Sequence, residues 1–299
     1  MPTAVVEEIE PKSIINRVQT DMFNFRWTIN PYRGCQHSCV YCFARHTHAF
    51  FGYNTGDDFN NRIVVKVNAE AQLRQELRRP GWKKELILLG ASVDPWQPLE
   101  AKYQITRGIL RALRDFANPL AILTKSTLIL RDVDLLADLA KVAPVHVNFS
   151  IGSLDETVWK LAEPGTPHPM KRMEVMGKLV QAGVPAGIML APIMPGLTDS
   201  DESLEGVIKA AAEHGAQSVA PVVLHLRPGT KEWFMPWLRE MFPGLLETYA
   251  KLYPRRYAYT PQEFQERIQQ RVHYFMQKWG VPGSHRTAEV PKGQIALPL

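Results

Sequence analysis

The chain lacks cysteine outside one short loop, and this absence excludes a disulfide-stabilised secreted domain. Of its 299 residues only 3 are cysteines, and all lie in the segment NPYRGCQHSCVYCFARHTH, as Cys35, Cys39 and Cys42. A disulfide framework needs partner thiols elsewhere in the chain, and there are none. An odd count confined to one loop is instead typical of a metal site in a reducing compartment.

Long hydrophobic runs are also missing, and so is a secretion signal. No stretch of the sequence approaches the length needed to cross a membrane. The N-terminus MPTAVVEEIEPKSI carries acidic residues where a signal peptide has a basic segment followed by an apolar run. Both absences predict a cytoplasmic protein without a membrane partner.

The charge balance is only mildly basic, with a formal net charge of +5. An excess of this size favours a polyanionic partner, but many proteins that never bind nucleic acid have it as well. Three segments, LYPRRYAY, QERIQQRVHYF and ARHTH, mix basic and aromatic residues as nucleic-acid surfaces do. A solvated helix face has the same composition as QERIQQR, so the substrate class stays open between nucleic acid, protein and a small metabolite.

The sequence alternates short β-branched runs with amphipathic stretches, which is typical of βα units and a parallel sheet. The predicted strands are residues 23–29, 62–67, 85–89, 120–123, 145–149, 186–190 and 218–223. The predicted helices between them are residues 69–79, 106–116, 132–141, 171–182 and 201–214. Beyond residue 228 an aromatic-rich helical region follows, with helices at 231–241, 245–252 and 261–279.

This pattern predicts an α/β fold in four parts. Residues 1–22 form an N-terminal segment, 23–228 the βα unit, 229–282 a helical extension that packs on the sheet or caps its open side, and 283–299 a tail. Most of the aromatic side chains of the extension are expected in the core.

The three cysteines have the spacing C-x3-C-x2-C, which lets three thiolates converge from one tight loop. A [4Fe–4S] cluster usually takes four thiolates, so one iron would be left open. Gly34 allows the backbone to approach the cluster closely. A structural zinc site with His37 or His46 as the fourth ligand is the alternative.

Polar residues follow several of the predicted strands, where a barrel of parallel strands carries its functional groups. Ser92 and Asp94 offer acceptors for an ammonium group, although the prolines around them are equally compatible with an ordinary turn. Lys125 and Ser126 end the next strand, and a lysine drawn into a barrel mouth calls for an anionic partner. Further along the chain come Asn148, Ser150 and Arg172. Each of these residues also has a plain structural interpretation, such as a solvated side chain at a helix start.

The cysteine spacing, with Tyr41 before the last cysteine, resembles the radical S-adenosylmethionine (SAM) superfamily. The order of the segments DPWQPLE, LTKS, NFS and KRM resembles one branch of it, spore photoproduct lyase and the DNA-repair-photolyase-like proteins, over residues 30–229. This resemblance implies a partial (β/α)6 TIM-type barrel with a [4Fe–4S] cluster on Cys35, Cys39 and Cys42. The SAM contacts that it implies are Tyr41, Ser92, Asp94, Lys125, Ser150 and Arg172.

In that superfamily SAM binds the open iron, and an electron donor such as flavodoxin or ferredoxin drives its reductive cleavage to a 5′-deoxyadenosyl radical. The lyase carries a hydrogen-donating cysteine where this sequence has Ala91. The resemblance therefore does not imply thymine repair through a thiol. Tyrosine is the alternative donor, with Tyr32, Tyr53 and Tyr103 as candidates, and the catalytic residue stays unknown. The rival hypothesis is a non-catalytic iron–sulfur or zinc binding module.

Overall fold

The computed structural model describes residues 4–18, 25–254 and 257–282, and within these ranges ten strands form two sheets. In chain order the strands are β1 (Val5–Ile9), β2 (Ile15–Arg17), β3 (Trp27–Ile29), β4 (Tyr32–Arg33), β5 (Arg62–Lys66), β6 (Ile87–Leu89), β7 (Leu120–Thr124), β8 (Val145–Ser150), β9 (Ala186–Ile193) and β10 (Val219–Val223). The larger sheet has the order β10-β9-β8-β7-β6-β3-β2.

Every neighbouring pair in the larger sheet is parallel except β2 with β3. Six parallel strands therefore run from β3 to β10, and in the described ranges the first and last strands of the sheet do not pair. The α/β fold and the partial (β/α)6 barrel predicted from the sequence are confirmed, with the barrel open.

Helices cover the sheet and connect its strands. They are α1 (Asp57–Asn61), α2 (Ala69–Leu77), α3 (Glu100–Tyr103), α4 (Ile105–Asp115), α5 (Val133–Val142), α6 (Glu156–Ala162), α7 (Pro169–Gln181), α8 (Asp201–Glu213), α9 (Lys231–Met241), α10 (Leu246–Leu252) and α11 (Gln262–Lys278). Short 3₁₀ helices span Phe43–Phe51, Thr127–Asp132 and Pro243–Leu245. The predicted glycine stop signals are present, because Gly183 and Gly215 have φ of 80° and 74° and each lies two residues beyond the last residue of α7 and α8.

The core lies between the sheet and these helices. Ile87 and Leu89 of β6 are fully buried, as are Ile122 of β7 and Val147 of β8. A parallel sheet with helices packed against it buries its side chains in this way. None of the helices within the described ranges is long and apolar enough to span a membrane.

One predicted strand belongs to a different sheet. The run at 62–67 forms β5, but it pairs in parallel with β1 and antiparallel with β4 in a separate three-stranded sheet. The prediction that it continues the barrel alternation was wrong, because a β-branched run shows that a strand forms and not which strand it pairs with. The N-terminal segment contributes β1 to this sheet and β2 to the edge of the barrel.

The boundaries of the four predicted parts stay predictions. Residues 19–24, which include the start of the strand predicted at 23–29, and the tail predicted at 283–299 lie outside the described residues.

The C-terminal helices pack on two sides of the barrel. Phe234, Tyr249 and Tyr253 are buried in one apolar cluster with Tyr41 and Met194. The helix α11 packs against α8 and β10. The Thr230 hydroxyl, just before α9, donates a hydrogen bond of 3.1 Å to the backbone carbonyl of Cys42. The extension thus covers the cysteine loop from one side.

Candidate functional site

The cysteine loop connects β4 to the 3₁₀ helix at Phe43–Phe51, and its start requires a glycine. Gly34 has φ of 78°, and a Cβ there would lie 2.7 Å from the carbonyl oxygen of Arg62 and 2.9 Å from the His48 ring. The Cys35 N–H then donates to the carbonyl of Phe59 at 2.9 Å, and the Cys42 N–H donates to the carbonyl of Cys39 at 3.2 Å. The backbone therefore fixes the path of the loop.

All three cysteines are free thiols in a nearly dry environment. Cys35 and Cys39 are each 7% exposed, and Cys42 is half-buried. Burial raises the pKa of Cys39 to about 12, and it also raises the pKa of Cys35 and of Cys42. These thiols keep their protons at neutral pH unless a bound metal supplies positive charge. A buried, reduced trio of this kind fits an iron–sulfur cluster.

A second observation supports that fit. The Arg45 guanidinium is completely buried beside the loop, and in the described part of the chain it has no carboxylate within ion-pair distance. Its Nε is buried without a hydrogen-bond partner. The described residues bring no three His, Cys, Asp or Glu side chains close enough to hold a single metal ion. A cluster differs from such a site, since its thiolates bind different irons.

Two glutamines that the sequence analysis missed brace the loop. Gln97 is fully buried, accepts the Gln36 N–H at 3.0 Å and donates to the Gly34 carbonyl at 3.2 Å. The Gln36 side chain in turn accepts the Leu99 N–H at 3.0 Å. This bracing ties the loop to the segment that follows β6. Gln36 lies in the cysteine loop and Gln97 in the segment DPWQPLE. Neither motif shows that these side chains brace the loop, so their role was visible only in three dimensions.

Asp94 lies just past β6 and is fully engaged by the protein. Its Oδ1 accepts the Trp96 N–H at 2.9 Å and the Thr124 hydroxyl at 2.8 Å, and its Oδ2 accepts the Lys125 N–H at 2.6 Å and faces His37 Nδ1 at 3.3 Å. Burial opposes ionisation, but the charge and hydrogen bond of His37 and the other donors lower the pKa of Asp94. A carboxylate has about four acceptor positions, and here protein donors fill them.

The arrangement favours a fastening role for Asp94 over the ammonium-binding role that the sequence suggested. Asp94 connects the cysteine loop, through His37, to the end of β7. Its contact with SAM stays a prediction. The contact with Asp94 also engages His37, one of the two histidines considered as the fourth ligand of a zinc site. The other histidine, His46, has its Nδ1 at 2.7 Å from the carbonyl oxygen of Phe43.

Lys125 and Ser150 meet at the ends of β7 and β8. The Lys125 ammonium donates to the Ser150 hydroxyl at 2.6 Å, and that hydroxyl donates to the Ala191 carbonyl at 2.9 Å. The ammonium also lies 5.6 Å from the centre of the Tyr41 ring. Lys125 is half-buried and has no ion pair among the described carboxylates. It therefore offers positive charge beside the cysteine loop.

Tyr41 and Arg172 share a buried partner, Glu163, that the sequence analysis did not identify. The Tyr41 hydroxyl donates to Oε1 of Glu163, and Arg172 donates from Nη2 to Oε2. Arg172 is fully buried and also donates to the backbone carbonyls of Ser150 and Pro167, at 3.0 and 2.8 Å. Burial opposes ionisation of Glu163, but the charges of Arg172 and Lys125 lower its pKa.

Arg172 binds a carboxylate, as its residue type suggested, but this carboxylate is the side chain of Glu163. The network fixes Tyr41 between the second and third cysteines and connects it to β8. A direct grip of Arg172 on SAM stays a prediction that this geometry does not favour.

Ser92 and Ala91 follow β6 directly and are both half-buried. The Ser92 N–H donates to the Asn30 side chain at 2.9 Å, which joins the ends of β6 and β3. With all cysteines in the loop, no thiol is available at Ala91. The structure brings Ser92, Asp94, Lys125 and Ser150 to one edge of the sheet.

The three candidate hydrogen-donor tyrosines are engaged away from these strand ends. Tyr53 and Tyr103 donate to Glu7 and Glu8 of β1, each at 2.8 Å, in the small sheet. Tyr32 is completely buried and donates to Glu100.

The segment ARHTH is not the basic surface that its composition predicted, because Arg45 and His48 are buried. In QERIQQRVHYF, Arg271 pairs with Asp201 at 2.7 Å. The two arginines of LYPRRYAY lie outside the described residues.

Comparison with known sequences identifies the family. The sequence model of the Radical SAM superfamily matches residues 29–208, more than half of the chain. The chain belongs to the radical SAM superfamily. An uncharacterized protein of Mycobacterium tuberculosis is 42% identical over 291 residues, which cover 97% of this chain and 85% of the relative. An uncharacterized protein of Methanocaldococcus jannaschii is 31% identical over 192 residues, which cover 64% of this chain and 69% of the relative.

Solved structures of two proteins with bound SAM share the fold. A mutant spore photoproduct lyase with bound AdoMet and dinucleoside spore photoproduct matches with a TM-score of 0.70 at 18% identity, covering 95% of this chain and 82% of that one. Streptococcus suis SuiB bound to S-adenosylmethionine matches with a TM-score of 0.51 at 12% identity, covering 86% and 49%. Enzymes of the superfamily generally use a [4Fe–4S] cluster and SAM, and they need an electron donor.

Proposed function

We propose that this radical SAM enzyme holds a [4Fe–4S] cluster on Cys35, Cys39 and Cys42 and cleaves SAM reductively at the open iron. The observation that carries the proposal is a trio of reduced thiols, two of them buried and one half-buried, beside a fully buried arginine that has no ion pair with any described carboxylate. When bound and reduced, the cluster supplies the electron that splits SAM into methionine and a 5′-deoxyadenosyl radical. The reducing equivalent comes from an electron donor such as flavodoxin or ferredoxin.

The protein's own contribution is binding, orientation and exclusion of water. Lys125 presents an ammonium group that suits the SAM carboxylate, and Ser150 orients it. Ser92 offers a hydroxyl for the SAM ammonium. The Tyr41–Glu163–Arg172 network keeps the aromatic ring fixed next to the third cysteine, where it borders the adenine region in the family. Asp94 keeps the loop and the end of β7 in register.

Metal analysis and electron paramagnetic resonance test the cluster and its open iron. Anaerobically reconstituted protein is expected to hold about four iron and about four sulfide per chain, and the spectrum of the reduced cluster is expected to change when SAM is added. Stoichiometric zinc without iron would overturn the proposal and favour a zinc module. A cluster whose spectrum ignores SAM would favour a non-catalytic iron–sulfur module.

For the substrate we propose a nucleic acid, because an aromatic and cationic surface borders the cysteine loop. Phe43 directly follows Cys42, is 40% exposed and lies 5.8 Å from the Arg227 guanidinium. Arg227 donates to the Tyr259 hydroxyl at 2.9 Å and has no ion pair among the described carboxylates. Phe50, on the same 3₁₀ helix, is 79% exposed. Exposed rings beside unpaired cations suit base stacking and phosphate contact.

Fluorescence anisotropy with a labelled single-stranded oligonucleotide tests this substrate class. The wild type is expected to bind more weakly as salt rises, and Arg227→Gln is expected to bind more weakly than the wild type. Arg239→Gln, on α9, is the matched control and should bind normally. Absence of salt-dependent binding would leave a peptide or small metabolite as the substrate.

A further inference from the structure

Arg45 is a buried cation without an ion pair to any carboxylate of the described ranges. Its side chain is 0% exposed. The guanidinium donates from Nη1 to the carbonyls of Thr55 and Gly56, at 3.1 and 2.9 Å, and from Nη2 to the carbonyl of Cys39 at 3.0 Å. These partners are neutral. Its Nε is buried and has no hydrogen-bond partner among the described groups.

Aromatic rings complete the surroundings of Arg45 and exclude water. The guanidinium carbon lies 4.6 Å from the Trp233 ring centre and 5.2 Å from the Phe59 ring centre. Trp233 comes from α9, so the C-terminal extension closes over this charge. A charge in such a place is destabilising unless an opposite charge compensates it.

Two other buried cations of this protein either pair with a carboxylate or can lose their charge, and Arg45 does neither. Arg172 is equally buried, but it is paired with Glu163. Lys66 is buried and forms no ion pair with the residues that the structure describes, and burial lowers its pKa to about 8, so it can give up its charge. A guanidinium stays protonated in proteins. Arg45 therefore needs an anion that the side chains within ion-pair distance do not provide.

The acidic groups that act on Arg45 are the side chains of Cys42, Cys39 and Cys35, which become negative as thiolates when a metal is bound, followed by the exposed Asp57. Three thiolates gathered on one cluster form a concentrated negative charge next to this guanidinium. Electrostatic interactions are strong here, because the surroundings are apolar.

We infer that Arg45 is the built-in counter-ion of the cluster and raises its reduction potential. The inference rests on the proposed cluster site. Reduction transfers one electron from the external donor to the cluster, which gains one negative charge and no proton. A fixed positive charge nearby stabilises the reduced form more than the oxidised form, since the reduced form is more negative. Arg45 is a positioning residue in this role, because it acts through the cluster and touches no substrate.

Redox titration monitored by electron paramagnetic resonance tests the inference, using reconstituted full-length protein without SAM. Arg45→Gln removes the charge and keeps a polar side chain, whereas Arg45→Lys keeps the charge and loses the planar fork. Arg62→Gln is the matched control, because Arg62 lies on the neighbouring β5 and its charge faces Asp58 at 3.3 Å. We expect a more negative midpoint potential in Arg45→Gln, and potentials near the wild-type value in Arg45→Lys and Arg62→Gln.

The outcomes separate this inference from the proposed function. A cluster-loaded Arg45→Gln with the wild-type potential would overturn the inference, and so would equal shifts in the glutamine and lysine variants. If Arg45→Gln does not retain a cluster, the iron content of Arg45→Lys tests the inference instead. Wild-type iron content in Arg45→Lys supports the role of charge, and loss of iron from a variant that circular dichroism shows to be folded contradicts it. A wild type that takes up no cluster at all would instead overturn the proposed function.

Discussion

The two sides of the barrel mouth differ in how strongly their polar side chains are hydrogen-bonded within the protein. At the ends of β6 to β8, Asp94, Lys125 and Ser150 are hydrogen-bonded to other parts of the chain. After β10, the Arg227 side chain makes a single hydrogen bond, to Tyr259, among the described residues and lies above an exposed phenylalanine ring. Groups locked by such networks suit a ligand that always binds in one pose. A cation with free donors beside exposed rings suits a partner that is exchanged.

Loss of any cluster ligand is expected to have the largest effect. Cys35→Ala, Cys39→Ala and Cys42→Ala should each abolish the [4Fe–4S] cluster and SAM cleavage, because in the proposed site each thiolate would hold a different iron. Iron content and visible absorbance measure this. Ser38→Gly, in the same loop, should retain the cluster, since Ser38 has φ of 56°, which glycine adopts without strain. Full iron content in one of the alanine variants would contradict the ligand assignment.

The cysteine loop could be predicted because its ligands are close in sequence and cysteine is rare in this chain. Lys125 and Ser150 were selected because each follows a predicted strand, and their contact with SAM stays a prediction. Glu163 was not found, since it lies 122 residues from Tyr41 and its segment resembles an ordinary helix end. The small sheet was missed for a similar reason. Nothing local in the run at 62–67 reveals that its partner is a strand near the N-terminus.

Breaking the buried ion pair between Glu163 and Arg172 is expected to lower the stability of the protein. Glu163→Gln should lower the free energy of unfolding by about 3–5 kcal/mol, because Arg172 is left as an uncompensated buried charge. Denaturant titration measures this. Glu156→Gln, in an exposed pair with Lys160, should change stability by less than about 1 kcal/mol. Equal effects of the two substitutions would contradict the network.

The same pair predicts a pH dependence. The pKa of Glu163 is lowered in the folded state, so its stabilisation is present above the pKa of an unfolded glutamate, about 4.3. It is lost as the pH falls through the lower folded-state pKa. The stability difference between the wild type and Glu163→Gln should therefore shrink in acid. A stability difference that grows as the pH falls would contradict a lowered pKa of Glu163 in the folded state.

Removing the Lys125 ammonium should weaken SAM binding and leave the cluster intact. Lys125→Ala should keep its iron and weaken SAM binding by about 1.5–3 kcal/mol, the usual scale for a hydrogen bond to a charged group. Equilibrium binding of SAM to the reconstituted protein measures this. Lys141→Ala, whose exposed lysine pairs with Asp138, is the control. Unchanged affinity in Lys125→Ala would assign Lys125 to the surface.

The smallest expected effect concerns thymine repair. With alanine at position 91, the wild type should cleave SAM but restore little or no thymine in ultraviolet-irradiated DNA, since a thiol donor is missing there. Ala91→Cys tests whether a thiol at the end of β6 increases restoration. Mass spectrometry of the DNA products gives the answer. Efficient repair by the wild type would show that another residue donates the hydrogen atom.

Detection of 5′-deoxyadenosine tests the central claim most directly. Reconstituted wild-type protein, reduced anaerobically in the presence of SAM, is expected to release 5′-deoxyadenosine and methionine, and Cys39→Ala treated in the same way is expected to release none. Fully loaded, reduced wild-type protein that leaves SAM intact would contradict the claim that this chain performs radical SAM chemistry.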